Sequence, residues 1–461
     1  MKYISTRGGG EPMGFQDAVM TGLARDGGLL LPAEIPHVRS QLDRWSGLRY
    51  QDLAFEIIRL YADLPEDKLR ALIEKSYSTF CDPDITPVKT VGDVFVLELF
   101  HGPTLAFKDV ALQFLGNLFE DILERTGHRL NILAATSGDT GSAAIYGVRG
   151  KPRIRIFVMH PHGRVSPLQE RQMTAVLDDN VFNMAVKGSF DDCQGIMKTL
   201  FNDLEFKDRH ALGAVNSVNW ARVLSQIVYY FYATFRVMER TGKPAVQFAV
   251  PTGNFGDILA GYFACRMGLP VSRLILATNE NDILSRFFNT GVYSLSEVVA
   301  TISPSMDIQV ASNFERYLFY LFGENAARVR EVMKTFGSRG SLSVPLNARG
   351  RVDDLVVAGM GNTAQTLETI RKFWSDHQYL LDPHTAVGVH VAGAYSDPAS
   401  PTICLATAHP AKFSQAILDA TGKDLGHHAL LDQLLHAKTR CEILSAEVGA
   451  VREFVTRHSN G

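Results

Sequence analysis

Lys108 lies in an otherwise apolar stretch, Gly102-Pro-Thr-Leu-Ala-Phe-Lys108-Asp-Val-Ala-Leu-Gln-Phe-Leu115. Two short glycine-containing loops follow it, Thr136-Ser-Gly-Asp-Thr-Gly141 and Thr252-Gly-Asn-Phe-Gly-Asp257. A buried amine loses its proton more readily than an exposed one, and the neutral amine is the nucleophile that forms an imine with an aldehyde. Each loop follows a strand-like run and precedes a helix-like one, so its backbone N–H groups point at a bound anion. One such lysine with two anion cradles fits an aldehyde cofactor bearing a phosphate, beside a substrate bearing a carboxylate. Pyridoxal phosphate meets that description. Taken singly, Lys108 also reads as a snorkelling lysine at a helix start, and either loop as a plain turn. A nucleotide-binding P-loop is excluded, because the lysine and hydroxyl of G-K-[ST] do not follow Gly256.

The elements that must position these residues show in the hydrophobic pattern. Short apolar runs at 94–99, 131–135 and 155–158 alternate with amphipathic stretches at 109–124 and 142–149, which predicts strand, helix, strand units and a parallel sheet. After a long helical zone at 220–241 a second series follows at 246–250, 258–267, 273–277, 356–358 and 402–406. The expected fold class is α/β, two open and mostly parallel sheets flanking a cleft. Both glycine loops then fall at the carboxyl ends of strands, where such sheets bind ligands. Helical periodicity at 50–61 and 68–77 precedes a Pro-rich break at 81–88. The expected division is a mainly helical region 1–93, a smaller α/β domain 94–225 carrying Lys108 and the first loop, and a larger α/β domain 226–461 carrying the second. Residues 279–343 fit neither sheet. Helical patterns at 313–322 and 326–336 make them an insertion or part of a lid.

Composition narrows the class. With 461 residues, 46% hydrophobic and 21% charged, the chain reads as a soluble globular protein of more than one domain. A net charge of -3 with interspersed signs leaves no basic face for nucleic acid. No segment has the apolar length of a membrane span. The five cysteines are scattered without a C-x-x-C pair, which argues against a disulfide framework and for the cytoplasm. The close histidine pairs His160/His162 and His427/His428 lack partners at ligand spacing, so they read as solvated histidines and no metal is expected.

Several strings occur in order: Phe100 to Asp109 (FHGPTLAFKD), Ser137 to Ala144 (SGDTGSAA), Gly163 to Glu170 (GRVSPLQE), Thr252 to Gly261 (TGNFGDILAG) and Ala406 to Phe413 (ATAHPAKF). Together with Tyr3-Ile-Ser-Thr-Arg7 and Gly8 to Gly10, they resemble those of the threonine synthase family. The resemblance implies the fold type II architecture of pyridoxal-phosphate enzymes and the conversion of O-phospho-L-homoserine and water to L-threonine and phosphate. It implies that Lys108 carries the cofactor as a Schiff base and moves protons at the substrate carbons, with Phe107 helping to exclude water. Gly253, Asn254, Phe255, Gly256 and Asp257 would wrap the cofactor phosphate with backbone N–H groups, and Thr407 would hydrogen-bond the pyridine nitrogen. Ser137 and Thr140 would receive the substrate carboxylate. Asp139 stands in the same loop where relatives often carry Asn, and an ionised carboxylate there would repel the cofactor's phenolate oxygen. It is therefore read either as protonated or as a helix cap.

The substrate phosphate would fall to Arg164, Ser166, Asn219 and Arg222. The competing reading of Arg222 is an ion pair with a surface carboxylate. Asp109 reads as a first-turn acid stabilising its helix dipole, and His409 and Lys412 as groups that complete the site electrostatically. The rival functions are a dehydratase or β-replacing enzyme for unphosphorylated serine or threonine, and a non-catalytic relative that binds phosphorylated ligands. The expected partner is a small molecule, with no nucleic acid and no membrane, and the assembly a monomer or homodimer.

Overall fold

The computed structural model describes residues 1–136 and 138–459. Among them, the strands form a six-stranded and a five-stranded sheet, with two short antiparallel ribbons. The larger sheet runs Val356–Met360, Val271–Thr278, Val246–Pro251, Thr402–Ala406, Val94–Glu98, Val88–Val91, parallel except for the last pair. The smaller runs Glu442–Ser445, Val181–Lys187, Ile154–Pro161, Leu130–Ala135, Leu212–Gly213, parallel throughout. Near-continuous burial of Val246–Pro251 and Thr402–Ala406 fits a sheet covered on both faces, as parallel sheets are. The helix Trp220–Thr241 is buried along most of its length and packs on Tyr50–Ile58, Lys108–Thr126 and Gly256–Arg266. Among the described residues no helix is long and apolar enough to cross a membrane.

The fold class is the one the pattern predicts, but the contiguous division at 94 and 226 is corrected. Val94–Glu98 pairs with Thr402–Ala406 inside the larger sheet. Glu442–Ser445 instead joins Val181–Lys187 in the smaller, and the boundary at 226 would cut the helix Trp220–Thr241. Which sheet a strand joins is decided by pairing across hundreds of residues, which no local pattern carries.

The N-terminal region is not a detached lid. Its ribbon Tyr3–Ser5 with Leu30–Pro32 is fastened to the helix Phe314–Leu321 within the 279–343 segment. Arg7 makes a two-toothed ion pair with Glu315 at 3.0 and 2.8 Å, and the Thr6 hydroxyl donates to the same carboxylate. The fully buried Arg316 donates to the carbonyls of Leu30 and Val218 and to Asn313 Oδ1. Without an ion pair among the described residues, the guanidinium is satisfied by carbonyl and amide oxygens, and burial pulls its pKa down to about 9 against the pull of Glu315. The N-terminal ribbon and the 279–343 segment, the latter read from sequence as an insertion or part of a lid, are thereby tied together.

Candidate active site

Every reactive group sits at the carboxyl end of a strand. Lys108 opens the helix Lys108–Thr126 after the strand Val94–Glu98, and its loop is pinned to the chain beyond Thr402–Ala406. Phe107 N donates to the Thr407 carbonyl at 2.8 Å and His409 N to the Leu105 carbonyl at 3.0 Å, with Leu105 held at φ +59°. The turn before Lys108 is clamped from within. Asp109 accepts from Thr104 N at 2.8 Å and from the Thr104 hydroxyl at 2.7 Å. A Cβ on Gly102 would meet the Asp109 side chain at 2.5 Å. Asp109 is thus more than a dipole partner: it is fully buried and ties the loop to the first helical turn. Burial pushes its carboxyl up to about 6 against those hydrogen bonds.

Lys108 is 8% exposed and its amine lies 3.7 Å from Asp139 Oδ2, while Asp139 Oδ1 takes a 2.7 Å bond from Lys412. Burial lowers the Lys108 pKa most; Asp139 opposes that, and Lys412 and Arg222 add to it. For Asp139 the balance is reversed. Burial alone would raise its carboxyl, but Lys412 and Lys108 hold it well below the ordinary range. It also accepts from Gln169 Nε2 at 2.9 Å. Both readings of Asp139 are therefore corrected: it is ionised rather than protonated, and Gly138 rather than Asp139 is the N-cap of the helix Asp139–Val148. Lys412 supplies the neutralising charge, and its remaining bonds, to the Thr104 carbonyl and Gln172 Oε1, lock it in place.

A pH effect follows. The neutral amine captures the aldehyde, so the rate of cofactor uptake by cofactor-free protein should rise with pH and level off below the pH at which an exposed lysine would. Asp139→Asn removes the attraction that favours the ammonium, and should move the plateau to lower pH in stopped-flow absorbance.

The second glycine loop follows Val246–Pro251 and opens the helix Gly256–Arg266, whose first N–H groups lack intrahelical partners. Phe255 is the N-cap at φ +63°, a conformation unusual for a non-glycine residue, and its buried ring is held among Phe288, Phe314 and Tyr317. Asn313 braces the loop through Asn254 O. Asp257 turns its side chain away, accepting from the Tyr229 and Tyr230 hydroxyls at 2.6 and 2.9 Å, so only its backbone is free to face an anion. At Gly253 a Cβ would stand 2.6 Å from the Ser305 carbonyl. Gly253→Ala must displace that backbone, and should weaken cofactor affinity by about five- to 150-fold, the equivalent of the ~1–3 kcal/mol typical of overpacking; a spectroscopic titration of the cofactor measures it.

Thr407 is buried and its hydroxyl has no protein partner among the described residues, while its backbone N–H donates to Thr385 Oγ1 at 3.3 Å. Thr385 in turn donates to Asp382, and His384 Nδ1 lies 2.9 Å from the same carboxylate. Ser305 N donates to His384 Nε2 at 3.2 Å, which leaves the ring proton on Nδ1. This chain of contacts links Thr407 to the Ser305 turn that borders Gly253. Sequence reasoning missed the roles of Asp382, His384 and Gln169. The polar run Asp382-Pro-His-Thr385 opening an otherwise apolar helix is the signal that could have found the first two.

The four groups assigned to the substrate phosphate divide. Arg222 is 3% exposed, donates only a 3.4 Å bond to the Val215 carbonyl, and leaves Nε buried without a partner. It makes no ion pair among the described residues, so the surface-pair reading fails. Burial lowers its pKa to about 10, still charged at neutral pH. Asn219, three residues earlier, is corrected: its Oδ1 caps the helix by accepting from Ala221 N, and its Nδ2 donates to the Val19 carbonyl. Ser166 is exposed and caps the helix Pro167–Thr174, and its hydroxyl donates to Gln169 Oε1 at 3.2 Å, the side chain that reaches Asp139; Arg164 is exposed near Asp192. Thr140 is half-buried in the first turn after Gly138, and Ser137 lies outside the described residues. His160, expected to be solvated, is buried at the end of Ile154–Pro161, where burial pulls its pKa down to about 4.

Comparison with known proteins matches residues 2–77 to "Threonine synthase N terminus", 86–335 to "Pyridoxal-phosphate dependent enzyme" and 385–455 to "Threonine synthase, C-terminal". The threonine synthase of Pseudomonas aeruginosa is 46% identical over 472 residues, covering 100% of this chain and 99% of that protein. The chain belongs to the threonine synthase family. Among other relatives, the threonine synthase of Schizosaccharomyces pombe is 47% identical over 456 residues, covering 90% of this chain and 88% of that one. The crystal structure of threonine synthase from Brucella melitensis with pyridoxal phosphate bound superposes with a TM-score of 0.95 at 45% identity, over 100% of both chains.

The cofactor of this threonine synthase family member is pyridoxal phosphate, and its residues fit it. The buried amine, the unpartnered Thr407 hydroxyl and a loop too tight at Gly253 for any side chain are what an aldehyde, a ring nitrogen and a phosphate require.

Proposed function

We propose that the protein converts O-phospho-L-homoserine and water to L-threonine and phosphate, with Lys108 holding the cofactor. The observation that carries this reading is Arg222. A buried guanidinium with a free Nε and no counter-ion among the described residues, close enough to depress the Lys108 amine, calls for an anionic ligand. The phosphate of the substrate supplies one, and a guanidinium grips phosphate through two parallel bonds. A dehydratase acting on free serine or threonine would leave that charge unpaired.

In this reading the backbone N–H groups of 253–257 hold the cofactor phosphate, and Thr407 faces the pyridine nitrogen. Thr140 and the amides of the first loop, Ser137 included, receive the substrate carboxylate. When bound, pyridoxal phosphate supplies the electron sink that lets the bond from Cα to hydrogen ionise. A neutral hydroxyl from Thr407 keeps that sink mild. Lys108, released by the substrate amine, is the group placed to move protons one at a time at Cα, Cβ and Cγ: the proton taken from Cβ as phosphate leaves Cγ is the one returned to Cγ, and the Cα proton goes back after water has added at Cβ. Burial lowers its pKa, so its neutral form is more available than that of an exposed lysine. Asp139, held ionised by Lys412, keeps the amine's charge balanced while it moves protons.

All five cysteines are free, which supports the cytoplasm, and the protein acts as a monomer or homodimer. The test is a phosphate-release assay on O-phospho-L-homoserine with threonine identified as co-product. Equal amounts of both support the proposal; no turnover of this substrate by cofactor-loaded protein sinks it.

A further inference from the structure

Beside the segment that leads from Val94–Glu98 to Lys108, a second group of reactive side chains surrounds a cavity of about 420 Å³, lined by Cys81, Phe100, His101, Tyr379, His409 and His428 among others. Cys81 Sγ lies 3.7 Å from His101 Nδ1, and His101 Nε2 lies 2.9 Å from Glu98 Oε2. The Tyr379 hydroxyl donates to Glu98 Oε1 at 2.7 Å, and Cys81 N donates to the His101 carbonyl at 3.0 Å, so thiol, imidazole and carboxylate are held in line. Burial would raise the Glu98 carboxyl, but the bonds from His101 and Tyr379 outweigh it and keep the group ionised. An ionised carboxylate only accepts, so the proton of a neutral His101 ring belongs on Nε2, and the Nδ1 lone pair faces the thiol.

We propose that Cys81 is a modification site, a nucleophilic thiol activated by His101 and oriented through Glu98, which reacts with hydroperoxides entering this cavity. His101 Nδ1 takes the thiol proton as the sulfur attacks one peroxide oxygen. The S–O bond forms as the O–O bond breaks, and the departing hydroxide takes the proton back from His101. The sulfur is oxidised by two electrons to a sulfenic acid and hydrogen peroxide is reduced to water. The other four cysteines serve as internal controls. Cys193 and Cys404 are buried, Cys265 and Cys441 partly so, and burial pushes their thiols up to about 11 or 12. Cys81 is exposed and has a base at hand.

The experiment treats the holoenzyme with hydrogen peroxide in the presence of dimedone, which traps sulfenic acids, and locates the adduct by peptide mass spectrometry. The expected adduct is confined to Cys81, forms about tenfold more slowly in His101→Ala because an unassisted thiol is only a few per cent thiolate at neutral pH, and is absent from Cys81→Ser, whose basal turnover is unchanged. Should His101→Ala fold poorly, iodoacetamide alkylation of Cys81 in the native holoenzyme is compared with that in the denatured chain in matched buffer, and is expected to be about tenfold faster. Alkylation no faster than in the denatured chain, adducts spread over several cysteines, or an adduct rate indifferent to His101→Ala overturns the proposal.

Discussion

Lys108→Ala should abolish the visible absorbance of a lysine-linked cofactor and lower kcat for threonine formation by at least about a thousandfold, since one side chain both anchors the aldehyde and moves the protons. The fold should survive. The amine is one of two cations against a single carboxylate, and Asp139 keeps its 2.7 Å bond to Lys412 when Lys108 is truncated. Thermal unfolding of the variant should therefore stay close to that of the parent while activity collapses. A variant that keeps more than about a hundredth of the parental kcat would remove Lys108 from the chemistry, because such activity exceeds what binding without the proton-transfer group supports.

Arg222→Met should separate activity from stability in the opposite sense to an ordinary core mutation. The native guanidinium is buried with an unpartnered Nε and no ion pair, so a thioether of similar length relieves a desolvation penalty and unfolding should shift upward or stay level. Loss of a buried charged partner for the substrate phosphate costs about 2–5 kcal/mol, so kcat/KM for O-phospho-L-homoserine should fall by roughly thirty- to several-thousandfold. Arg222→Lys keeps the charge without the planar fork and should fall between the two. Equal kcat/KM in parent and methionine variant would take the substrate phosphate away from Arg222 and reopen the dehydratase reading. Steady-state kinetics and a thermal melt on the same preparations decide it.

The site was legible in sequence where chemistry is local. Lys108 and the loop at 252–257 announce themselves because an amine among apolar residues and glycines before a helix are short-range facts. Arg222 was legible as a charge but not as an orphan, since orphanhood depends on every neighbour. Ser166 and Asn219 carry a second duty that the reading for phosphate left out: each stands just before a helix and caps it. Ser166-Pro167 carries that signature in plain view. The ionisation of Asp139 rests on Lys412, 273 positions away in the numbering, so no window along the chain could disclose it. The sheet pattern was read correctly for most of the buried strands. Glu442–Ser445 escaped because a short, largely exposed edge strand shows no apolar run, and Val181–Lys187, though bounded by Asp178-Asp179-Asn180 and Gly188-Ser189, because Asn183 interrupts its apolar run.

The interleaving of the two sheets bears on how the chain acquires its shape during synthesis. The larger sheet has Thr402–Ala406 between Val246–Pro251 and Val94–Glu98, so two strands made early stay unjoined until most of the chain has left the ribosome. The smaller waits longer, since Val181–Lys187 receives its outer neighbour only with Glu442–Ser445, and the helix Val448–Ser459 brings Val451, Phe454 and Val455 to its apolar cluster. Neither body can finish before the other has begun, and contacts so distant in sequence form slowly. A nascent chain of this design carries open strand edges for most of its translation, a period in which a chaperone has something to hold.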